Sequence, residues 1–498
     1  MTGHTKAYLA VRQTTGTLAM GFSVLKTREE AINFLDPNPT KPSKDSSPYT
    51  EDAATQADTS LEKSVTDEGL EDQVIALMLR YVNLVFSFYP LIAIGTTLKA
   101  PITAASIDTS LVTPARSMFP SVHKSDIGEV FELNAAAIAM VNKKVASFWS
   151  LERGLSALPN ASFLSIVASF DSIFAEIIYF FLKLYPQRFS NQSTEIAVSR
   201  VIELGSVDAL IDSIIKDELF ELMRGSHDEQ TDFVKDKLDV DIKTDWPRYG
   251  DFIELFERRN LIAHGEKLYT ARYASKLTVY KKITNAGIVG SEIQITSKYL
   301  RQSSDILLEY GVLLIFSLWR KHLKSSEESS FDWVNIISTK AISENRNLAS
   351  TRILSYIIKI KSSRFKDQSR KMATVNLANG LFRLNKKDEA EKVLADTDWS
   401  AVSLDYSICI AAIRNDISRV VELMEPAVKS GSMNSDNFRE WPAFDALRDN
   451  ADFLEQYQNL FGEPLTPIDF PKQESLENSP FLADQSEEPT ELADGSPA

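Results

Sequence analysis

The chain has 498 residues, which is too long for one hydrophobic core, so about two to four domains are expected. Its 44% hydrophobic and 25% charged content are those of an ordinary globular protein. Cys409 is the single cysteine, which excludes an intrachain disulfide framework and argues against a cysteine-based zinc site. The five histidines are scattered without ligand spacing, so we expect no bound metal.

The first 35 residues predict a small segment that contains β-strands. Two short runs alternate in the strand pattern, KAYLAVR at 6–12 and TLAMGFSVL at 17–25, and a helix with capping-box spelling is expected to begin at Thr27. Residues 36–71 are polar, acidic and proline-bearing, which predicts a disordered linker. The N-terminus has no basic start followed by an apolar run, so we expect no signal peptide and a cytoplasmic location.

Residues 72–154 predict a helical region with an irregular middle. One stretch within it, from Val74 to Gly95, has the length to span a membrane but carries Arg80, Asn83 and Pro90. A charge near the bilayer interior costs about 2.5 to 3.5 kcal/mol. We therefore expect a buried helix broken at Pro90 and no stable membrane association.

The stretch from Glu257 to Glu266, ERRNLIAHGE, places a permanent cation, an amide and an imidazole within one helical turn and its exit. Asn260 and His264 are four residues apart and share a helix face, whereas Arg259 points elsewhere unless the helix stops. Gly265 is the residue type that takes the left-handed conformation just past a helix end. We therefore expect the helix to stop there, which would let His264 converge with Arg259.

A second arginine and histidine lie at a comparable spacing, Arg116 and His123, with six residues between them where Arg259 and His264 have four. Pro120 lies between them and would break the helix that has to carry both groups. This pair is therefore excluded as a candidate site.

The first motif resembles the Arg-x(4–6)-His motif of the HEPN superfamily, all-α domains that include many metal-independent ribonucleases. The resemblance covers residues 155–323, with a helix from about Phe163 to Leu184 and a closing helix from about Ser297 to Leu323. Ala263 and Gly265 stand where valine and asparagine are common in such families. The resemblance implies a helical bundle, no cofactor and cleavage of RNA.

On this interpretation Arg259, Asn260 and His264 are the catalytic residues. His264 could accept the proton of the ribose 2′-hydroxyl as a general base or protonate the leaving oxygen as a general acid. Arg259 would stabilise the developing charge and Asn260 would hold the imidazole or the phosphate. In the simpler interpretation, His264 caps the carbonyl end of a helix and Arg259 lies on its solvated face.

The net charge of -15 opposes phosphate binding in general, but the residues that follow the motif are locally basic. We expect RNA contacts from Arg258, Lys267, Arg272 and Lys276. Farther on, residues 277–296 alternate around Asn285-Ala286-Gly287, which predicts a small β-hairpin.

Residues 332–465 predict a run of helical hairpins. Two units, VNLANGLFRLNKKDEAEKVLADTDW at 375–399 and YSICIAAIRNDISRVVELMEPA at 406–427, resemble tetratricopeptide-like repeats and have Asn385 and Asn415 at matching positions. Residues 466–498 form an acidic tail that we expect to be disordered. The fold class is therefore predicted as mainly α: a HEPN-like bundle, a C-terminal tetratricopeptide-like (TPR-like) region and a small β-containing N-terminal segment.

These features together favour a HEPN-type endoribonuclease, a toxin or antiphage abortive-infection effector with RNA as its substrate. One histidine cannot easily act as both base and acid, and HEPN ribonucleases commonly form two-fold dimers, so a homodimer is expected. Residues 332–465 would then dock an antitoxin or sensor partner. The alternatives are a non-catalytic interaction or RNA-binding protein that dimerises through the bundle, and a membrane-associated effector that uses Val74 to Gly95.

Overall fold

The structure, a computed structural model, describes residues 7–13, 20–25, 67–97, 99–125, 128–185, 198–280, 289–400 and 402–465. These residues are mainly helical, which confirms the mainly α part of the predicted fold class. The chain divides into two units, Met1–Arg370 and Lys371–Ala498. The predicted domain boundary near residue 332 therefore falls inside the first unit. The acidic tail at 466–498 and most of the predicted linker at 36–71 lie outside the described residues.

Helices make up most of the first unit. In chain order they are α1 (Asp67–Thr97), α2 (Lys99–Ile107), a π-helix (Asp108–Val112), α3 (Thr113–Met118), α4 (Ala135–Lys183), α5 (Val198–Leu204), α6 (Val207–Arg224), α7 (His227–Leu238), α8 (Ile242–Asp245), α9 (Tyr249–Ala263), α10 (Ala271–Thr278), α11 (Ser297–His322), a 3-10 helix (Lys324–Ser326), α12 (Glu327–Ser343) and α13 (Asn347–Ile358).

Four strands form one antiparallel sheet. They are β1 (Ala7–Gln13), β2 (Met20–Leu25), β3 (Ser121–Ser125) and β4 (Gly128–Leu133), in the order β2-β1-β4-β3. The two predicted N-terminal strands are confirmed, but the segment is not independent, because β1 pairs with β4 from the region predicted as helical. The helix expected at Thr27 lies outside the described residues.

A small core lies where this sheet meets the first half of α4. It contains Phe131 and Leu133 of β4, Ile107 and Leu111 from α2 and the π-helix, and Phe148 of α4. β4 was missed because its residues GEVFEL are buried at consecutive positions from Glu129 to Phe131 and give no clean alternation. The predicted start of the bundle at residue 155 also falls inside α4, which runs unbroken from Ala135 to Lys183.

Helix α1 does not break at Pro90, contrary to expectation, and continues from Asp67 to Thr97. Its buried residues Phe88 and Ile92 flank the proline, and α1 packs along α11 and α4. A proline inside a helix costs about 3 kcal/mol or more, so tertiary burial on both sides of Pro90 outweighs the local preference. Arg80 pairs with Glu176 of α4, with 2.9 Å between Nη1 and Oε2.

Two described helices have the length and apolar composition to cross a membrane, Gly69–Ala93 within α1 and Ala135–Lys183, which is α4. The core helix of a soluble protein passes the same test. In α4 the apolar residues from Phe163 to Phe181 include several with no exposed surface, among them Ile177 and Ile178. Their burial inside the protein is what a soluble core helix requires.

Helix α11 is the centre of the main bundle and matches the closing helix predicted from Ser297 to Leu323. Tyr310 lies at its middle with no exposed surface and stacks on Phe252 of α9 with 3.9 Å between ring centroids. Phe170 of α4 packs edge-on against both rings. The helix that carries the motif is thereby fixed to α4 and α11 through aromatic contacts.

The second unit consists of short helices joined by tight turns. Its helices are α14 (Asp367–Arg383), which crosses the boundary, α15 (Lys387–Ala395), α16 (Leu404–Ile413), α17 (Ile417–Lys429), α18 (Ser435–Glu440), a 3-10 helix (Pro442–Leu447) and α19 (Ala451–Phe461).

Helix pairs α14–α15 and α16–α17 occupy the two predicted hairpin segments, with the matching asparagines at their turns, and α16 packs against α17. Asn385 and Asn415 both have left-handed backbones, with φ of 60° and 58°. At each, the next residue donates its N–H to a carbonyl five residues back, Lys386 to Leu381 and Asp416 to Ala411, which is the Schellman geometry. In the first unit Asn345 repeats this conformation with φ of 57°, between α12 and α13.

Candidate functional site

The end of helix α9 has the geometry that the sequence predicted. Gly265 is left-handed with φ of +76°. Its N–H donates to Ile262 O at 3.0 Å and that of Glu266 donates to Leu261 O at 2.9 Å, which completes a Schellman stop. The helix forms because Phe252 and Phe256 supply an apolar face that the bundle buries. This stop places His264 at the helix C-cap.

His264 and Asn260 lie at the surface end of the helix. The side chain of His264 is exposed and that of Asn260 is half-buried. Within the described parts of the chain, neither side chain has a hydrogen-bond partner. The imidazole and the amide are therefore free to meet a ligand from solution.

Arg259 points into the protein toward α4 and does not contact His264. Its Nη2 donates to Oδ2 of Asp171 at 3.0 Å, and the two side chains keep 29% and 25% of their surface exposed. The expected convergence of Arg259 with His264 is thus absent from the described contacts. The reason is that α4 presents the half-buried carboxylate of Asp171 to the side of α9 that carries Arg259, and the guanidinium pairs with it.

Asp171 also holds a histidine that the sequence did not single out. His227 Nε2 lies 2.8 Å from Oδ1 of Asp171, and its side chain is only 8% exposed. The imidazole stacks on Phe256 with 3.3 Å between ring centroids and 13° between planes. Asp171, His227 and Arg259 therefore form one connected cluster between α4, α7 and α9, which we call the Asp171 cluster.

The electrostatics of this cluster favour a neutral imidazole. Burial lowers the pKa of His227 below its ordinary value, although the hydrogen bond to Asp171 opposes the shift. The positive charge of Arg259 lowers the pKa further. A neutral His227 donates its Nε2–H to the carboxylate, which can only accept.

Arg258, which was predicted to contact RNA, is used inside the protein. It lies 2.6 Å from Glu254, and its guanidinium stacks over the ring of Tyr299 at 3.8 Å. Only 14% of the side chain is exposed, and Nη1 donates to the carbonyl of Gln294 at 3.3 Å. The structure thus gives Arg258 a packing role, because its cation lies on the face of α9 that meets α11.

The other three predicted RNA contacts differ from one another. Lys276 is half-buried and pairs with Glu257 at 2.6 Å. Lys267 and Arg272 are exposed, and the described residues give neither side chain a partner. These two cations remain available to a polyanion beside His264.

The predicted hairpin at residues 277–296 falls partly outside the described residues, and its first two residues are helical. Leu277 belongs to helix α10, which Thr270 caps by accepting the N–H of Tyr273 at 3.2 Å, and Tyr273 and Leu277 are buried one turn apart. The predicted turn lies outside the described residues. The strand-like pairing that is present joins Leu268 to Glu292 in a single antiparallel bridge.

One sequence signal could have identified Asp171. It is the only charged residue between Arg153 and Glu176 in an apolar helix, and a lone carboxylate in such a stretch needs a partner. His227 has no comparable signal. Among the described residues, no group of three or more histidine, cysteine, aspartate or glutamate side chains is placed to hold a metal ion.

Comparisons of the chain with protein-family models, with curated proteins and with solved structures find no match.

Proposed function

We propose that this protein is a HEPN-type endoribonuclease that cleaves RNA without a metal ion, as a toxin or antiphage abortive-infection effector of the cytoplasm. One observation carries the proposal: α9 carries Arg259 and Asn260 on its last turns, and a left-handed glycine stop then exposes His264 at the C-cap, while Arg259 pairs with Asp171 of α4. Lys267 and Arg272, among the residues that follow the motif, are exposed cations that would contact RNA. RNA supplies its own nucleophile, the 2′-hydroxyl, so the protein has to supply only a base, an acid and groups that stabilise the developing charge.

In this mechanism the 2′-oxygen attacks the adjacent phosphorus while the bond from phosphorus to the 5′-oxygen breaks. One imidazole accepts the 2′-hydroxyl proton and another acid donates a proton to the leaving 5′-oxygen. Arg259 offsets the charge that develops on the phosphorane, and Asn260 orients the imidazole or the phosphate. The products are a 2′,3′-cyclic phosphate and a 5′-hydroxyl.

The acid and the base come from two copies of the chain in this proposal. His264 is exposed, whereas His227, the other histidine near the motif, is 8% exposed and held by Asp171. A two-fold dimer would place two His264 side chains on opposite sides of one phosphate. The HEPN-like bundle would form the dimer, and the TPR-like hairpins would dock an antitoxin or sensor.

A second candidate function is a non-catalytic RNA-binding or interaction protein that dimerises through the same bundle. The internal pairing of Arg259 with Asp171 favours it, because a guanidinium used to fix two helices is a structural element. The TPR-like hairpins would recruit a partner in this case as well. The two candidates differ in whether the protein cleaves RNA.

The test is incubation of the purified chain with total RNA in EDTA, followed by mapping of the ends. Cleavage that leaves 2′,3′-cyclic phosphates is expected, and His264→Ala should lower the rate by about 10²- to 10⁴-fold. His123→Ala is the matched control, because His123 belongs to the excluded pair and lies on β3. Cleavage that requires magnesium, or that survives His264→Ala, contradicts the proposal.

The dimer is tested separately by light scattering at micromolar concentration. A mass of twice 55.8 kDa is expected. A monomer that still cleaves RNA would refute the shared site while leaving the ribonuclease proposal intact.

A further inference from the structure

Asp171 lies where three helices meet, and each of its two carboxylate oxygens has a different partner. Oδ1 accepts from His227 of α7 at 2.8 Å, and Oδ2 accepts from Arg259 of α9 at 3.0 Å. These contacts span 56 and 88 residues of sequence. With both oxygens occupied, the plane of the carboxylate is fixed, and so is the direction from which Arg259 donates.

His227 is itself held so that it cannot turn. Its ring lies flat against Phe256, and the ring of Phe252 meets it nearly edge-on, with 6.1 Å between centroids and 80° between planes. Only 8% of its side chain is exposed. The imidazole is a rigid donor that fixes the carboxylate, and the carboxylate in turn fixes the guanidinium.

Arg259 would not be rigid without this support. Its side chain remains 29% exposed, and an exposed arginine loses rotamer entropy when a ligand immobilises it. Its Nε is buried and has no hydrogen-bond partner within the described part of the chain. The guanidinium is therefore held mainly through the contact of Nη2 with Asp171.

We propose that Asp171 and His227 are positioning residues, which hold the Arg259 guanidinium in a fixed orientation beside the exposed end of α9. His227 acts through Asp171 and does not touch the substrate. For its catalytic consequence this inference rests on the proposed ribonuclease function. Fixing a cation before the substrate arrives removes the cost of ordering it in the transition state, so the effect belongs in kcat.

A purely structural ion pair makes a different prediction. Removing such an ion pair would lower the stability of the protein. The value of kcat would then be the same whether position 227 carries a hydrogen-bond donor or an apolar side chain of similar size. The tests therefore compare His227→Leu, which fills the space without donating, with His227→Gln, which can donate an amide N–H to Asp171.

The first experiment measures kcat and KM on a fluorogenic RNA. His227→Leu and Asp171→Asn should each lower kcat on the order of tenfold with little change in KM, since misplacing a group by about 1 Å can cost 10²-fold. The kcat of His227→Gln should stay within about threefold of the wild-type kcat, because its amide can still donate to Asp171. Asp212→Asn is the matched control, since Asp212 accepts a hydrogen bond from Tyr179 of the same helix α4.

Wild-type kcat in both His227→Leu and Asp171→Asn would overturn the inference. Equal losses in His227→Leu and His227→Gln would overturn the role of His227. Thermal unfolding of each variant identifies any loss of rate that comes from loss of folded protein.

The second experiment needs no activity, so it separates this inference from the proposed function. The imidazole of His227 is titrated by NMR in wild type, Arg259→Ala and Asp171→Asn. The charged groups that face it are Asp171 of α4 and Arg259 and Glu257 of α9. Arg259→Ala should raise the pH midpoint of the His227 titration, because it removes a nearby positive charge. Asp171→Asn should lower that midpoint, because it removes a nearby negative charge. A midpoint unchanged in both variants overturns the inference, whether or not the wild type cleaves RNA.

Discussion

Arg248 donates from Nη1 to Oε1 of Glu309 at 2.9 Å, although the Glu309 side chain has no exposed surface. Trp246 donates to the other oxygen of Glu309 at 3.3 Å, and Arg352 of α13 lies 3.5 Å from Oε1. Arg248 is the N-cap of α9 and Glu309 lies at the middle of α11. The start of the motif helix is therefore fixed to the core by a buried charge network, while its far end stays exposed.

Glu309→Ala should be strongly destabilising. Removing the carboxylate leaves Arg248 without its buried partner, and breaking one side of a buried ion pair costs about 3 to 5 kcal/mol. Glu309→Gln keeps the shape and can still accept hydrogen bonds, so its effect should be smaller. Urea unfolding of both variants provides the measurement. A loss below about 1 kcal/mol for Glu309→Ala would show that the network does not contribute to stability.

Two helical glycines should respond in opposite directions to alanine. A Cβ on Gly311 of α11 would collide with the ring of Tyr81, so Gly311→Ala should lose roughly 1 to 3 kcal/mol. Nothing lies within 4 Å of a Cβ on Gly154 of α4, so Gly154→Ala should gain about 0.5 to 1 kcal/mol. Thermal unfolding compares them directly, and similar effects at the two positions would contradict the close packing of α1 on α11.

Adjacent arginines of the motif should also differ. Arg258→Ala should lose about 3 kcal/mol of stability, because it removes the stacking on Tyr299 and leaves the carboxylate of Glu254 without its cation, with only the hydroxyls of Tyr273 and Tyr299 as donors. Arg259→Ala should lose less than about 1.5 kcal/mol, because Asp171 keeps its hydrogen bond to His227 and remains partly exposed.

Unfolding in urea measures the stability of both arginine variants. An RNA cleavage assay measures the activity of each variant. Arg259→Ala should remove cleavage from a protein that remains folded, whereas Arg258→Ala should act through stability. Arg258→Lys is the control, since lysine keeps the charge but loses the planar stacking. A reversed order of the two stabilities would contradict the contacts of α9.

The sequence predicts local features of this fold well. The stop at Gly265, the closing helix α11 and the asparagine turns at Asn385 and Asn415 all depend on residues within a few positions of one another. Each follows from backbone preferences and helical periodicity, which act over a single turn or element.

Features that depend on distant residues could not be predicted. Asp171 and Arg259 are 88 residues apart, and no local pattern indicates that they meet. β1 pairs with β4 across more than a hundred residues of chain, so the β-segment was placed alone at the N-terminus. Helix α1 continues through Pro90 because it packs against α11, and this tertiary packing cannot be predicted from the residues of α1 alone.

The last prediction concerns the pH dependence of stability. Burial lowers the pKa of His227 in the folded protein, while the unfolded chain has the ordinary value of about 6.5. As the pH falls below about 6.5, the unfolded state therefore binds the proton first, and protonation favours unfolding. The stabilising contribution of the neutral imidazole is fully present above that pH and is lost as the pH falls through the folded pKa.

The measurement is the free energy of unfolding of wild type and His227→Gln between pH 7.5 and 5. Groups common to both proteins cancel in the difference, so the advantage of wild type should shrink on acidification. One proton limits the slope to about 1.4 kcal/mol per pH unit. A difference that is constant over this range, or that grows on acidification, would mean that His227 is not held neutral by its burial between α4, α7 and α9.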